Sequence, residues 1–143
     1  MLVMKHASKI YPGGAAALQD VNVHIKPGEF VFLVGPSGAG KSTFIKTISR
    51  EIELSSGQIF VDGVDVMKLR NDEIPYLRRQ LGIVFQDYRL LNDRTAFENV
   101  AFAMEVLHKS RKQIRKQVPQ ILSLVGITDK ANKYPVSYTH LTL

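Results

Sequence analysis

A chain of 143 residues has room for one modest domain and not for two large ones. Its 45% apolar and 22% charged residues exclude a disordered tail, a collagen-like fibre and a membrane-embedded bundle; with no cysteine, a disulfide framework, a thiolate metal site and a cysteine nucleophile are excluded together. The formal charge of +6 raises a nucleic-acid or anionic-membrane reading, because clustered cations release counterions from phosphate polymers. The cations are spread along the chain, however, and the densest stretch, Lys109, Arg111, Lys112, Arg115 and Lys116, reads as the solvated outer face of one helix.

In chain order, Met1-Leu2-Val3-Met4-Lys5-His6 lacks the charged leader and apolar run of a signal peptide, and no stretch approaches the roughly 20 apolar residues of a membrane span. An extended segment leads to a turn at Tyr11-Pro12-Gly13-Gly14, and a second turn at Lys26-Pro27-Gly28-Glu29 feeds the run Phe30-Val31-Phe32-Leu33-Val34. A run apolar at every position predicts a strand covered on both faces, as in a parallel sheet. Gly35 to Gly40 breaks the pattern, and from Ser42 the spacing is helical, with Phe44, Ile45 and Ile48 on one side and Ser55-Ser56-Gly57 as the close. Asp62-Gly63 between two short runs predicts a hairpin over residues 58–66. Leu77 and Leu81 are spaced for a helix in the polar stretch 71–80, and Gly82-Ile83-Val84-Phe85 predicts a second buried strand ending at Gln86. Thr95 and Glu98 are spaced as a capping box for a helix carrying Val100, Phe102, Ala103, Val106 and Leu107. Ile114, Val118, Ile121, Leu122 and Val125 repeat as one buried helix face, interrupted by Pro119. Short strands alternating with helices make the class α/β.

The chemistry sits between the first predicted buried strand and the first helix. Gly35-Pro36-Ser37-Gly38-Ala39-Gly40-Lys41-Ser42 fits G-x-x-x-x-G-K-S/T, a pattern expected by chance on the order of once in two hundred chains of this length. Glycines let successive backbone N–H groups point inward at phosphate oxygens, and the helix that follows offers its positive end to the same anion. In this cradle Lys41 supplies a cation for the β and γ phosphates and Ser42 a hydroxyl for Mg²⁺, with Thr43 closing the loop into the helix.

A phosphate cradle does not by itself separate an ATPase from a kinase or a GTPase. The neighbours do: Tyr11, the cradle, the Asp62-Gly63 hairpin and Gly82-Ile83-Val84-Phe85-Gln86 resemble the nucleotide-binding subunits of ATP-binding cassette (ABC) transporters. The segment from Ile74-Pro75-Tyr76-Leu77 through Gln86-Asp87-Tyr88 to Asp93-Arg94-Thr95 is most similar to the branch of that family acting in bacterial cell division, and the resemblance runs from residue 1 to about 135. It implies a P-loop NTPase fold of the ABC ATPase type: an incomplete RecA-like core, an antiparallel β subdomain and the start of a helical subdomain. It further implies ATP and Mg²⁺ as cofactors, Tyr11 as the adenine-stacking aromatic, and Gln86 as the glutamine that reaches Mg²⁺ and the attacking water. The residues expected to hold nucleotide are Tyr11, Gly35, Pro36, Ser37, Gly38, Ala39, Gly40, Lys41, Ser42 and Thr43, with Lys41 and Gln86 catalytic and Ser42 and Gln86 on the metal. The implied partners are a second copy joined through ATP and an integral membrane subunit gripped by the helix from Phe97 to Leu107, at the cytoplasmic face of the inner membrane. No nucleic acid is expected.

Hydrolysis also needs a second Mg²⁺-binding carboxylate and a group that orients water. Ile59-Phe60-Val61-Asp62 belongs to the hairpin, Asp129 follows no buried strand, and His6, His24, His108 and His140 lack the context of the family's switch histidine. The signature segment Leu-Ser-Gly-Gly-Gln does not occur. Family members place it soon after a Tyr-Pro like Tyr134-Pro135, where this chain reads Val136-Ser137-Tyr138-Thr139-His140-Leu141-Thr142-Leu143. Residues 1–135 are therefore expected to be the amino-terminal portion of the nucleotide-binding domain and residues 136–143 a non-native tail, with a native short strand as the alternative reading of the tail. Rival readings are the ATPase of a lipoprotein-release or macrolide-type exporter, a non-catalytic phosphate or nucleic-acid binding module, and a small-molecule kinase.

Overall fold

The computed structural model describes residues 1–135, so the tail expected over 136–143 lies outside the described residues. The chain divides into two compact units, residues 1–82 and the residues from 83 onward.

The first unit is built on a four-stranded antiparallel sheet in the order β2-β1-β3-β4, comprising β1 (Leu2–Ile10), β2 (Ala16–Ile25), β3 (Ser56–Val61) and β4 (Val64–Asp65). β1 and β2 turn at residues 11–15, closed by the Gly14 N–H donating to the Tyr11 carbonyl at 3.0 Å and the Tyr11 N–H to the Ala15 carbonyl at 2.9 Å. Met4 and Ala7 are both buried although three residues apart, which a regular strand of period two cannot achieve. The register shifts between them, and His6 at φ 49° absorbs the extra residue. The predicted hairpin is β3–β4: Val61 faces Val64, and Asp62 and Gly63 both have positive φ (46° and 84°), as a type I′ turn requires.

Against this sheet packs α1 (Lys41–Ile48), whose Phe44 joins Met4, Ala7, Leu18, Ile59, Val61, Val66 and Leu77 in one core. Ile45, expected on the inner face, is exposed; Thr43 and Thr47 are buried instead, Thr47 by donating to the Phe44 carbonyl at 2.7 Å. The helix ends at Ile48, and Ser56 and Gly57 open β3 rather than closing the helix as expected. The short helix α2 (Ile74–Arg79) supplies Arg78, which donates to the carbonyls of Ser49 and Arg50 at 3.0 Å each and so satisfies the end of α1.

In the second unit α3 (Ala96–Val106) and α4 (Arg111–Leu124) enclose Ala101, Met104, Ile114, Val118 and Leu122. The Thr95–Glu98 capping box is formed as expected, and Ser110 with Gln113 forms a second one at the start of α4. Asn99 holds the approach to α3: its Oδ1 accepts from the Leu91 N–H at 2.8 Å while its Nδ2 reaches the carbonyls of Leu91, Arg94 and Thr95. α4 runs through Pro119, although the ring has no N–H for the carbonyl one turn back. Ile121 and Val125, expected in the buried face, are exposed, because α3 covers only the stripe through Ile114, Val118 and Leu122.

Two further sequence expectations are corrected. Residues 30–34 are not a buried strand: Phe30, Phe32 and Val34 are 83%, 76% and 83% exposed, and no described strand pairs with them. Residues 82–85 likewise form no strand, and Val84 is 98% exposed. A run apolar on both faces earns its burial only from neighbours on both edges and both faces, and those contacts are absent among the described residues.

Candidate functional site

The phosphate loop leads into α1 through Gly40, whose φ of 86° places it in the left-handed region as the helix N-cap. No side chain caps this terminus and no acid lies in its first turn, so its amides remain directed at whatever occupies the loop mouth. Gly38 adds a second left-handed residue (φ 81°), and the Ala39 N–H closes on the Pro36 carbonyl at 3.2 Å, curling Gly35 to Gly40 into a tight bend. Ser37, Ala39 and Ser42 are exposed at this bend. Lys41 folds over it, its Nζ donating to the carbonyls of Gly35 at 2.8 Å and Pro36 at 2.7 Å. The ammonium group is thereby held over the loop rather than extended into water.

Tyr11 is brought to the same place from the β1–β2 turn. Its hydroxyl lies 3.3 Å from Thr43 Oγ1, and Lys9 Nζ is 5.4 Å from its ring centroid. A second joint ties the start of β2, just past this turn, to the helix start: a Cβ on Gly40 would lie 2.1 Å from the Ala17 carbonyl oxygen. The aromatic and the loop, 24 or more residues apart in sequence, are thus tied through both a hydroxyl pair and a backbone approach. Tyr11 and Thr43, both expected at the site, lie together here; Lys9 beside the ring and the Ala17 carbonyl against Gly40 were not anticipated, the latter because a carbonyl carries no side-chain signal.

The donor set fits a magnesium-bound polyphosphate. Open helix amides and an ammonium group match phosphate oxygens, and the exposed Ser42 hydroxyl is a hard oxygen ligand suited to Mg²⁺. Among the described residues no three His, Cys, Asp or Glu are clustered to hold a metal alone. A shallow 670 Å³ depression on the sheet, lined among others by Val3, Lys5, Val23 and Phe60, shares no residue with the loop. Gln86 belongs to the second unit, exposed in a turn closed by the Tyr88 N–H on the Phe85 carbonyl at 3.2 Å, and not at the end of a buried strand as expected.

A glycine bend opening an uncapped helix, with lysine and serine at its start and an aromatic hairpin fastened beside it, has the form of a P-loop. The chain belongs to the ABC transporter family, whose profile matches residues 18–142. It is 50% identical over 135 residues to the cell division ATP-binding protein FtsE of Bacillus subtilis, covering 94% of this chain and 59% of that one. To the FtsE of Escherichia coli K12 it is 46% identical over 136 residues, covering 95% and 61%. Among solved structures it resembles the dimeric post-hydrolysis state of the ATP-binding cassette MJ0796 bound to ADP and Pi, at TM-score 0.88 and 33% identity, covering 95% of this chain and 62% of that one. The chain therefore spans about three fifths of the length of the curated relatives it matches. The fold is the corresponding part of an ABC ATPase cassette, with its antiparallel sheet and the beginning of its helical subdomain.

Proposed function

We propose that the complete polypeptide containing this chain is the ATP-binding and ATP-hydrolysing subunit of a cell-division complex of the FtsE type. One observation carries the reading: the uncapped start of α1 and the Lys41 ammonium converge on one loop mouth, in a chain half identical to a protein named for binding ATP in cell division. In this reading the loop amides between Gly35 and Thr43 and the Lys41 ammonium bind the phosphates, Ser42 holds Mg²⁺, and Tyr11 stacks on adenine. Mg²⁺ neutralises charge on the transferring phosphoryl group when bound. Lys41 leaves the carbonyls of Gly35 and Pro36 for phosphate oxygens, exchanging neutral acceptors for charged ones.

Two copies close over ATP and part after hydrolysis. Exposed apolar residues of α3, Phe102 foremost, face an FtsX-like integral membrane subunit, through which the cycle regulates peptidoglycan hydrolysis outside the membrane. The protein sits at the cytoplasmic face of the inner membrane; among the described residues no helix is long and apolar enough to cross it. The 143-residue chain alone turns ATP over negligibly, because its sequence offers neither a buried strand ending in the second Mg²⁺-binding carboxylate nor the signature segment.

The test is calorimetric titration of the complete polypeptide with Mg-ATP. Lys41→Ala is expected to weaken binding by tenfold or more, the scale of a lost charge-assisted hydrogen bond. Affinity unchanged by Lys41→Ala, or no heat from the unmodified protein, would end the proposal.

A further inference from the structure

Residues 106–128 contain no Asp or Glu, and within them Lys109, Arg111, Lys112, Arg115 and Lys116 are all exposed. Elsewhere several cations have partners: Arg50 pairs with Glu53, Arg70 with Asp72, Lys68 with Asp65, and Arg78 with two carbonyls. None of the five side chains here makes a hydrogen bond or ion pair with a described residue.

Their placement works against the helix that carries them. Arg111 and Lys112 stand in the first turn of α4, where the macrodipole is positive, and no acid stands with them. Arg111 with Arg115, and Lys112 with Lys116, are like charges one turn apart, which repel. Positions 111, 112, 115 and 116 nevertheless share about 140° of the helix circumference. Just before this face in sequence, where the chain turns from α3 into α4, Val106 and Leu107 are exposed apolar residues, with Glu105 the nearest acid.

We propose that the basic face of α4 and the adjoining apolar end of α3 form a docking surface for the anionic phospholipid headgroups of a bilayer. A continuous sheet of negative charge complements cations with no acid among them, and the apolar residues alongside enter the headgroup–acyl boundary, as in interfacial helices. A nucleic-acid duplex would meet the cations equally but leave Val106 and Leu107 in water. The proposal rests on the reading that α3 is held by an integral membrane subunit, which brings α4 near the bilayer surface, and it adds a contact to lipid itself that needs no protein partner.

The experiment is vesicle flotation of the complete polypeptide, with phosphatidylcholine alone and with equal parts of phosphatidylcholine and phosphatidylglycerol, at low and high salt. The protein is expected to float with the anionic vesicles only and to release as salt rises. Lys112→Gln with Lys116→Gln is expected to weaken flotation about thirtyfold at an unchanged circular-dichroism melt, since both sites are exposed and Gln is a good helix former. Absence of flotation, flotation insensitive to the double substitution, or tighter binding to a DNA duplex than to vesicles of equal phosphate content each overturns the proposal. Mg-ATP titration of the same preparations separates the two readings: lipid binding lost with ATP binding intact removes this one alone, and the reverse removes the nucleotide reading alone.

Discussion

Gly40 shows how one missing methyl group holds two halves of the site together. A Cβ there would meet the Ala17 carbonyl oxygen at 2.1 Å, and because the obstacle is backbone, no rotamer change relieves it. The positive φ of 86° adds a second cost for any other residue. Gly40→Ala in the complete polypeptide is therefore expected to lose about 1–3 kcal/mol of stability, and Mg-ATP affinity with it as the Tyr11 turn separates from α1. Gly13→Ala is the internal reference: its φ is 99° but nothing lies within 4 Å, so it keeps only the backbone cost, about 1 kcal/mol. Urea melts of the two variants compare these directly, and equal losses would remove the argument for a joint. The motif made Gly40 legible in the sequence, but its reason was not, since Ala17 carries no chemical signal and meets Gly40 only once β2 is in place. The same holds for Tyr11: resemblance marked its ring, while the hydroxyl pair with Thr43, 32 residues away, belongs to the tertiary fold.

At the scale of the element, both helices of the second unit start in side-chain chemistry written within four residues. The Thr95 N–H donates to Glu98 Oε2 at 2.7 Å, and this bond first, then the Thr95 hydroxyl at 2.8 Å, holds the Glu98 carboxyl below the ordinary glutamate range. A carboxyl whose pKa is lowered by folding adds stability above its unfolded value and loses it as pH falls through the folded one. The start of α3 therefore weakens on acidification below the normal glutamate range and is unaffected on the alkaline side. Glu98→Gln keeps an acceptor for the Thr95 N–H and removes the titration, so the variant is expected to lose part of the acid sensitivity of the melting temperature. Melts from neutral to acid pH that run parallel for variant and parent would contradict this. The Thr95–Glu98 box was readable because its geometry is local; the Ser110–Gln113 box obeys the same rule without an acid to mark it. β2 went unassigned although Val21, Val23 and Ile25 alternate; its polar residues find their partners only once β1 lies alongside, the Asn22 side chain accepting from the His6 N–H at 2.9 Å and Asp20 bonding the His6 ring at 2.7 Å.

Across the whole molecule, the segments whose sequence reads most plainly as core are the ones found uncovered. Strand pairing is a property of partners distant in sequence, so an apolar run such as residues 30–34 states what it needs without supplying it. With Phe30, Phe32 and Val34 exposed and no described strand on either edge, the 143-residue chain alone presents an apolar template for pairing with its own copies. It is expected to self-associate at micromolar concentration and to bind a hydrophobic dye, and Phe32→Lys is expected to reduce both by placing a charge on that template. In the longer polypeptide the same substitution has the opposite sign. If neighbouring strands cover residues 30–34 there, a lysine at position 32 is buried without a partner and destabilises the fold by several kcal/mol. Light scattering of the short chain and thermal melts of the long one read the two effects separately. A 143-residue chain that remains monomeric and dye-free, or a long polypeptide that tolerates Phe32→Lys, would mean that this run is not a core strand in either setting, and the phosphate loop that follows it would have lost its structural support.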